Sequence, residues 1–292
     1  MEKDKLKEFI LFIQDKTKVT SSELIEKDFY LNLLLSKLNL EEYAFKGGTC
    51  LAKVYLDYFR FSEDLDFTFI NQTLFKNKST NQIKKICKDK ITHFGKQIES
   101  LGLDFVLNKS DRQYVELGNN NKLVTFKVGY NSLFTNTSSF IKIQINFLED
   151  IKFKIKPQST ISLIKQGITK EEEIYFQEFI THYQNKEILV YDIREIVAEK
   201  IRSLLTRRAI KSRDAIDLFC ISQKFKINPD ELVKEAKDKI SFACKSYEKY
   251  RENFMLAKEK LDKVDFSYNE VIYLVIKDIK KGEFESFIVQ LI

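Results

Sequence analysis

The most constraining feature of the sequence is a glycine pair that leads, through a short segment, to a strand carrying two aspartates. Gly47 and Gly48 precede apolar residues spaced at i, i+3, i+4 and i+7, which predicts a helix beginning at the second glycine or just after it. Residues 64–69 then alternate polar and apolar side chains, which predicts a strand. Asp64 and Asp66 therefore project from one face of that strand.

The remaining pattern predicts an α+β fold. Helical periodicity covers 4–38, with a break near 17–22, and returns at 81–100. Period-two patterns predict strands of an antiparallel sheet at 103–107, 114–117, 123–130 and 140–148. From residue 159 onward the chain is mainly helical, apart from a possible strand at 187–191 and a helix break at Asn228-Pro229. We expect a sheet-bearing region at 1–155 and a mainly helical region at 156–292, with a soft boundary between 155 and 190.

Composition excludes several classes of protein. With 43% hydrophobic residues the chain can bury a core, and 8 Gly and 2 Pro are too few for a collagen-like or proline-rich chain. The net charge of +6 permits an anionic partner without requiring one. The four cysteines lack zinc-ligand spacing and read as reduced thiols. There is no apolar signal segment or membrane-spanning run, so we expect a soluble, cytoplasmic protein without a membrane partner.

The glycine pair and the two aspartates suit one kind of chemistry. Glycines let the backbone approach a phosphate, and the unpaired amides at the start of a helix hold anions. Two carboxylates on one strand face suit Mg²⁺ ions between a triphosphate and an attacking hydroxyl. Alone, an Asp-x-Asp strand is more often a solvated sheet face, and a glycine pair is usually a turn. The order and separation of the two together are typical of polymerase-beta-type nucleotidyltransferases.

Six short motifs follow one another between residues 26 and 218: Glu26-Lys27-Asp28, Phe45-Lys46-Gly47-Gly48-Thr49, Arg60-Phe61-Ser62-Glu63-Asp64-Leu65-Asp66, Glu199-Lys200, Arg213-Asp214 and Asp217-Leu218. In this combination the chain resembles the AbiEii/AbiGii family of nucleotidyltransferase toxins, found in abortive-infection and type IV toxin–antitoxin systems. The resemblance implies a nucleotidyltransferase sheet flanked by helices, with a helical C-terminal region closing the cleft. It also implies an Mg²⁺-dependent enzyme that transfers a nucleoside monophosphate from an NTP to RNA, with the tRNA 3′ end as expected acceptor, and a cognate antitoxin as partner.

The resemblance also implies roles for individual residues. The expected catalytic residues are Asp64, Asp66, Lys200 and Asp214, of which the first two hold Mg²⁺. The expected NTP-binding residues are Lys46, Gly47, Gly48, Thr49, Arg60, Ser62 and Arg213. We expect Lys200 to be an exposed point charge against the triphosphate, and Asp217 is a further candidate. Asp214 has an alternative reading as a helix-capping acid, and Glu26-Lys27-Asp28 either supports the glycine loop or lies on the surface.

The sequence departs from the superfamily pattern at the third carboxylate, which normally lies on a later strand. The candidate strand, 141–147, carries Lys142, Gln144 and Asn146 on its polar face. A glutamine can form hydrogen bonds but supplies no negative charge. Either Glu149 or an acid from the C-terminal half substitutes for the missing carboxylate, or two acids suffice.

A basic stretch indicates where nucleic acid could bind. Between residues 200 and 213 there are six basic residues and no acidic one: Lys200, Arg202, Arg207, Arg208, Lys211 and Arg213. This predicts a phosphate-binding surface, and an ordinary solvated helix face is the alternative. Two other functions remain open, namely nucleotidylation of a protein side chain and a non-catalytic RNA-binding or regulatory module. The intact Asp64 and Asp66 argue against the second of these.

Overall fold

A computed structural model of the chain describes residues 2–164, 168–209, 211–263, 274–276 and 281–291. The chain divides into two compact units, one formed by 1–148 with 157–190 and the other by 149–156 with 191–292. The first unit contains the sheet with its flanking helices, and the second is helical in its described part. The predicted α+β class and the helical C-terminal region are therefore confirmed.

In the first unit α1, α2 and α4 begin and end close to the predicted positions, whereas the helix predicted from the second glycine to Tyr58 is shorter than expected. They are α1 (Lys3–Thr17), α2 (Ser22–Lys37), α3 (Gly47–Cys50), α4 (Thr80–Glu99), α5 (Lys170–Tyr175) and α6 (Gln177–Ile180). The predicted break before α2 is confirmed, because the Ser21 side chain accepts the Leu24 amide and caps this helix. After α3 the backbone widens into a π-helical turn, Leu51–Tyr55. The helical hydrogen bonds therefore end before Tyr58, the last residue of the predicted apolar stripe. Tyr58 has a left-handed backbone conformation, and its side chain is buried.

Seven strands form one sheet in the described part of the chain, in the order β3-β4-β5-β2-β1-β7-β6. They are β1 (Tyr43–Lys46), β2 (Asp64–Phe69), β3 (Val115–Gly118), β4 (Leu123–Asn131), β5 (Ser138–Asn146), β6 (Lys156–Ser159) and β7 (Glu187–Val190). The antiparallel pairing of β3, β4 and β5 is as predicted. The sheet as a whole is mixed, because β2 pairs with β5 and β1 with β7 in parallel. The connection between the parallel strands β2 and β5 consists of α4 and the β3–β4 hairpin.

One predicted strand is absent and two real strands were not predicted. Residues 103–107 turn tightly instead of pairing, since the Phe105 amide bonds to the Leu103 carbonyl at 2.7 Å, and one bridge joins Asp104 to Gly129. Strand β1 has four consecutive buried residues and therefore no alternation to detect. Strand β6 is exposed throughout and lacks the apolar residues of a strand pattern.

The two faces of the sheet differ. On one face, Phe67 and Phe126 belong to the core, and Phe126 packs against Phe94 of α4 with ring centroids 5.6 Å apart. The opposite face carries Asp64 and Asp66 on β2, which alternate with the buried residues of that strand. The functional face is therefore the one turned away from α4.

The second unit consists of α7 (Ile193–Thr206), α8 (Ser212–Phe225), α9 (Val233–Ser246), α10 (Glu248–Met255), α11 (Ala257–Lys263) and α12 (Lys281–Leu291). Asp192 caps α7 by accepting the Arg194 amide. The predicted helix break at Asn228-Pro229 is confirmed, because a 3-10 turn, Pro229–Leu232, separates α8 from α9. Across the described ranges, no helix combines the length and apolarity needed to cross a membrane.

Candidate active site

Two glycines form a tight corner between β1 and α3. Gly47 has φ +77°, and a Cβ atom there would lie 3.0 Å from Asp66 Cγ and overlap its Oδ2 oxygen. A Cβ atom on Gly48 would lie 2.7 Å from Arg60 Nη2 and 2.9 Å from Ser62 Oγ. The absence of both side chains lets a carboxylate, a guanidinium and a hydroxyl lie directly against the backbone that starts a helix.

The backbone of β2 at the two aspartates is positioned by β1 and by α3. Asp64 and Asp66 are partly exposed, and Lys46 of β1 is the register partner of Asp66. The buried Thr49 hydroxyl donates to the Asp64 carbonyl at 2.5 Å. That side chain therefore fixes the position of Asp64, and only the amide of Thr49 is left for the anion-binding role predicted from the sequence.

The donor set fits a divalent cation bound together with a triphosphate. Magnesium is usually held by one or two carboxylates plus substrate phosphates and water, and Asp64 and Asp66 supply two carboxylates beside the glycine corner. Within the ranges described above, no group of three or more Asp, Glu, His or Cys side chains is placed to hold a metal ion. Asp64 and Asp66 would hold such an ion together with the phosphates of a bound nucleotide and with water.

An amide side chain lies beside the two aspartates on the neighbouring strand. Strands β2 and β5 run parallel with Asp66 opposite Gln144, so Gln144 shares the face of the two aspartates. Glu149, one of the expected substitutes, belongs to the second unit and lies 3.6 Å from Lys239 Nζ there. Gln144 is therefore the side chain beside Asp66 on β5.

The motif on α2 contacts three segments of the first unit. Lys27 Nζ pairs with Glu63 Oε1 at 2.7 Å, directly before β2. The buried Glu26 accepts the Ser132 hydroxyl and the Leu133 amide, both at 2.8 Å. These contacts agree with the supporting role considered for the motif, and the burial of Glu26 contradicts a plain surface reading.

Asp28, the third residue of the motif, forms a buried ion pair that the sequence did not predict. Lys53 Nζ lies 2.5 Å from Asp28 Oδ1 and also donates to Asn32 Oδ1 and the Tyr58 hydroxyl. Burial lowers the pKa of Lys53, and Asp28 opposes that shift. Since Lys53 lies in the π-helical turn, this pair fastens the helix that begins at the glycine corner to α2. The sequence feature that could have indicated this buried ion pair is the presence of a lysine within the apolar run 51–54.

The second unit brings Lys200 and Asp214 together. Lys200 Nζ lies 2.8 Å from Asp214 Oδ1 and 2.5 Å from Asp217 Oδ2, and Arg207 Nη1 lies 2.5 Å from Asp214 Oδ2. Burial raises the pKa of Asp214, but Lys200 and Arg207 outweigh it and hold that pKa well below its ordinary value. The prediction of an exposed Lys200 is wrong, because the residue is only 8% exposed and paired with two carboxylates.

A further buried charge cluster in the second unit was also missed. Lys239, fully buried on α9, lies 2.5 Å from Glu195 Oε1 and 3.7 Å from Glu199 Oε1. Burial lowers the pKa of Lys239, but the surrounding glutamates outweigh it and raise the pKa. Glu195 also accepts the amides of Lys152 and Phe153, so the cluster ties segment 149–156 to α7 and α9. Lys239 lies on a different helix from Glu195 and Glu199, so no local sequence pattern indicates the cluster.

The predicted site residues fall into two groups. Those in the first unit are adjacent along β1, α3 and β2: Lys46, Gly47, Gly48, Thr49, Arg60, Ser62, Asp64 and Asp66. Those in the second unit lie on α7 and the first turn of α8: Lys200, Arg213 and Asp214.

Comparison with known proteins identifies the class of protein and then the family. A family model described as "Nucleotidyl transferase AbiEii toxin, Type IV TA system" matches residues 33–288. The match covers most of the chain, including the glycine corner and both aspartates, and it makes the chain a nucleotidyltransferase. The chain belongs to the AbiEii family of type IV toxin–antitoxin toxins. The motif on α2 precedes the matched range.

Solved structures that match the chain do so at low sequence identity and with TM-scores below 0.5. The nucleotidyltransferase toxin MenT4 (Rv2826c) from Mycobacterium tuberculosis H37Rv is 14% identical, with a TM-score of 0.47, over 97% of this chain and 98% of that one. JHP933 from Helicobacter pylori is 16% identical, with a TM-score of 0.43, over 93% of this chain and 94% of that one. Comparison with curated proteins gives no significant match. Likenesses at this level say nothing about the substrate of this chain.

Proposed function

We propose that this toxin transfers a nucleoside monophosphate from an NTP to the 3′ end of an RNA, with the tRNA acceptor end as target and Mg²⁺ as cofactor. The observation that carries the proposal is the glycine corner, where the carboxylate of Asp66, the guanidinium of Arg60 and the hydroxyl of Ser62 lie against Gly47 and Gly48. That arrangement supports binding of a triphosphate with a divalent cation. Because RNA and NTPs share the cytoplasm, we propose that the protein acts there.

Each group at the corner has a defined task in this reaction. The amides of Gly47 and Gly48 and the hydroxyl of Ser62 bind the β- and γ-phosphates, and Arg60 offsets their charge. Bound Mg²⁺ would be held by Asp64 and Asp66 and would supply Lewis-acid stabilisation of the phosphate oxygens. The RNA 3′ hydroxyl attacks the α-phosphorus, its proton leaves to water, and the bond to the β-phosphate oxygen breaks with release of pyrophosphate.

We also propose that Lys200 and Asp214 take part in the transfer, as the family resemblance implies. Their buried ion pair has a structural use in any case, so alanine variants would not separate the two roles. Lys200→Arg keeps the charge and is the sharper test. A catalytic Lys200 predicts a loss of rate far larger than the loss of folded protein in a thermal melt, whereas a purely structural one predicts a rate that falls only as far as the folded fraction does.

The function is tested by measuring whether labelled nucleotide is incorporated into RNA or into protein. The protein is incubated with each α-labelled NTP, Mg²⁺, total RNA and total protein, and the two macromolecular fractions are then separated and counted. The proposal predicts label in RNA of tRNA size, in a form lost on trimming of the 3′ terminal nucleotides, and no label when Mg²⁺ is chelated. Label confined to the protein fraction would instead establish a protein-modifying enzyme. Membership of a type IV system implies a cognate antitoxin, and its co-expression should abolish toxicity.

A further inference from the structure

The functional face of the sheet continues past the aspartates onto β5, where it is exposed. Phe140 is 44% exposed and Lys142 is exposed as well, while the odd-numbered residues of the strand between 140 and 146 are buried. Lys142 Nζ lies 5.7 Å from the centroid of the Phe140 ring. Phe140 therefore presents an accessible aromatic ring with a cation beside it on this face of the sheet.

This row of side chains runs directly into the candidate active site. Strand β5 is parallel to β2, with Lys142 opposite Asp64 and Gln144 opposite Asp66. Neighbouring strands lie about 4.8 Å apart, and Phe140 is two residues, or about 7 Å, before Lys142 along the strand. The row Phe140–Lys142–Gln144 therefore begins at the aspartates and extends away from them along one face.

The order of the strands separates the row from the triphosphate. The glycine corner follows β1, on one side of β2, and β5 lies on the other side. In-line displacement places the attacking and leaving oxygens on opposite sides of the reacting phosphorus. With the leaving pyrophosphate at the glycine corner, the attacking hydroxyl arrives from the side of β5.

We propose that Phe140, Lys142 and Gln144 form the acceptor subsite and hold the last nucleotides of a single-stranded RNA 3′ end. This inference rests on the proposed function and adds to it where the acceptor binds. A base stacks on the Phe140 ring, Lys142 contacts a backbone phosphate, and the Gln144 amide hydrogen-bonds the terminal ribose. Aromatic stacking beside a cation is the ordinary way in which proteins hold unpaired nucleotides.

The test compares Phe140→Ala with Phe254→Ala, a matched control because Phe254 is 41% exposed and lies on α10 of the second unit. Transfer of labelled nucleotide to tRNA is measured at varied RNA and varied NTP. Loss of one stacked base predicts a roughly 5- to 150-fold higher KM for RNA in Phe140→Ala. Its KM for NTP and its melting temperature should stay those of the wild type, and Phe254→Ala should change none of the three.

Two further variants test the chemistry of the row. Phe140→Tyr keeps a stacking ring and should retain the wild-type KM for RNA. Lys142→Gln should flatten the log–log dependence of RNA affinity on salt by about 0.7, the slope for one phosphate on a single strand. If Lys142→Gln and wild type show equal salt dependence of RNA affinity, Lys142 does not contact a phosphate.

The outcomes separate this inference from the proposed function. If wild type labels tRNA and Phe140→Ala behaves like Phe254→Ala, the acceptor subsite is refuted and the function stands. The subsite is likewise refuted, and the function retained, if Phe140→Ala raises the KM for NTP and leaves that for RNA unchanged. If wild type labels only protein, both the function and the subsite are refuted.

Discussion

Gly47→Ala tests the claim that the glycine corner exists to bring the backbone against Asp66. The substitution adds one methyl group at a residue with φ +77°, where that group would lie 3.0 Å from Asp66 Cγ and overlap Oδ2. The Asp66 carboxylate must therefore rotate away or the corner must open. Either movement displaces a group that the proposed reaction requires.

The chain supplies a matched control in Gly102, which has φ +68° and no atom within 4 Å of the position that an added methyl group would take. Alanine costs about 1–2 kcal/mol in the left-handed region wherever it stands. Both variants should therefore lose at least that much stability, which lowers the melting temperature by roughly 2–8 °C in units of this size, and Gly47→Ala loses more if the corner opens instead of the Asp66 side chain rotating. The difference between the two variants isolates the contact with Asp66.

Nucleotide transfer at saturating NTP and RNA is the assay, together with a thermal melt of each variant. We expect Gly102→Ala to retain the wild-type rate and Gly47→Ala to lose at least about 100-fold, equivalent to about 2.7 kcal/mol of transition-state stabilisation. Equal rates in the two variants, with equal melting temperatures, would refute the reasoning. So would a Gly47→Ala variant whose loss of rate is explained by unfolding.

Three further predictions follow from other parts of the structure. Lys53→Met should cost about 3–5 kcal/mol, because it leaves Asp28 charged and buried, and adding Asp28→Asn should recover part of that loss in denaturant melts. Arg208→Ala should flatten the salt dependence of tRNA binding by about 0.7 without changing NTP affinity, and an unchanged slope would exclude Arg208 from the RNA surface. Burial lowers the pKa of His182 to about 4, so stability should fall as pH drops from about 6.5 to 4, where only the unfolded chain takes up the proton. His182→Gln should make stability depend less on pH between about 6.5 and 4. An unaltered pH dependence of stability would contradict the lowered pKa of His182.

Local periodicity explains why much of the fold could be predicted. Helix α4 buries one face, and strand β2 alternates partly exposed and buried residues from Asp64 to Phe67, so their apolar residues repeat with the period of the element. Strand β1 is buried on both faces and only four residues long, so it has no period. The parallel pairing of β2 with β5 joins residues nearly eighty positions apart, and it depends on the packing of the segments between them rather than on any local signal.

The residues of the candidate site also include some that the sequence could predict and some that it could not. Gly47 and Asp66 could be predicted because backbone freedom and a same-face carboxylate pair have direct chemical readings. The partners of Lys200 could not, since Asp214 lies on a different helix and the pairing is a tertiary contact. Sequence reasoning treated this lysine as exposed because lysine usually is, and burial of a lysine requires partners that only the folded chain reveals.

The most direct test of the central claim is the transfer rate of Asp64→Asn and Asp66→Asn as a function of Mg²⁺ concentration. Asparagine keeps the size of each side chain and removes its charge, so the fold should be preserved in a thermal melt. The account predicts that each variant loses about 10³-fold or more in nucleotide transfer to RNA, equivalent to at least about 4 kcal/mol, at every Mg²⁺ concentration. A folded variant that keeps a near-wild-type rate and Mg²⁺ dependence would contradict it.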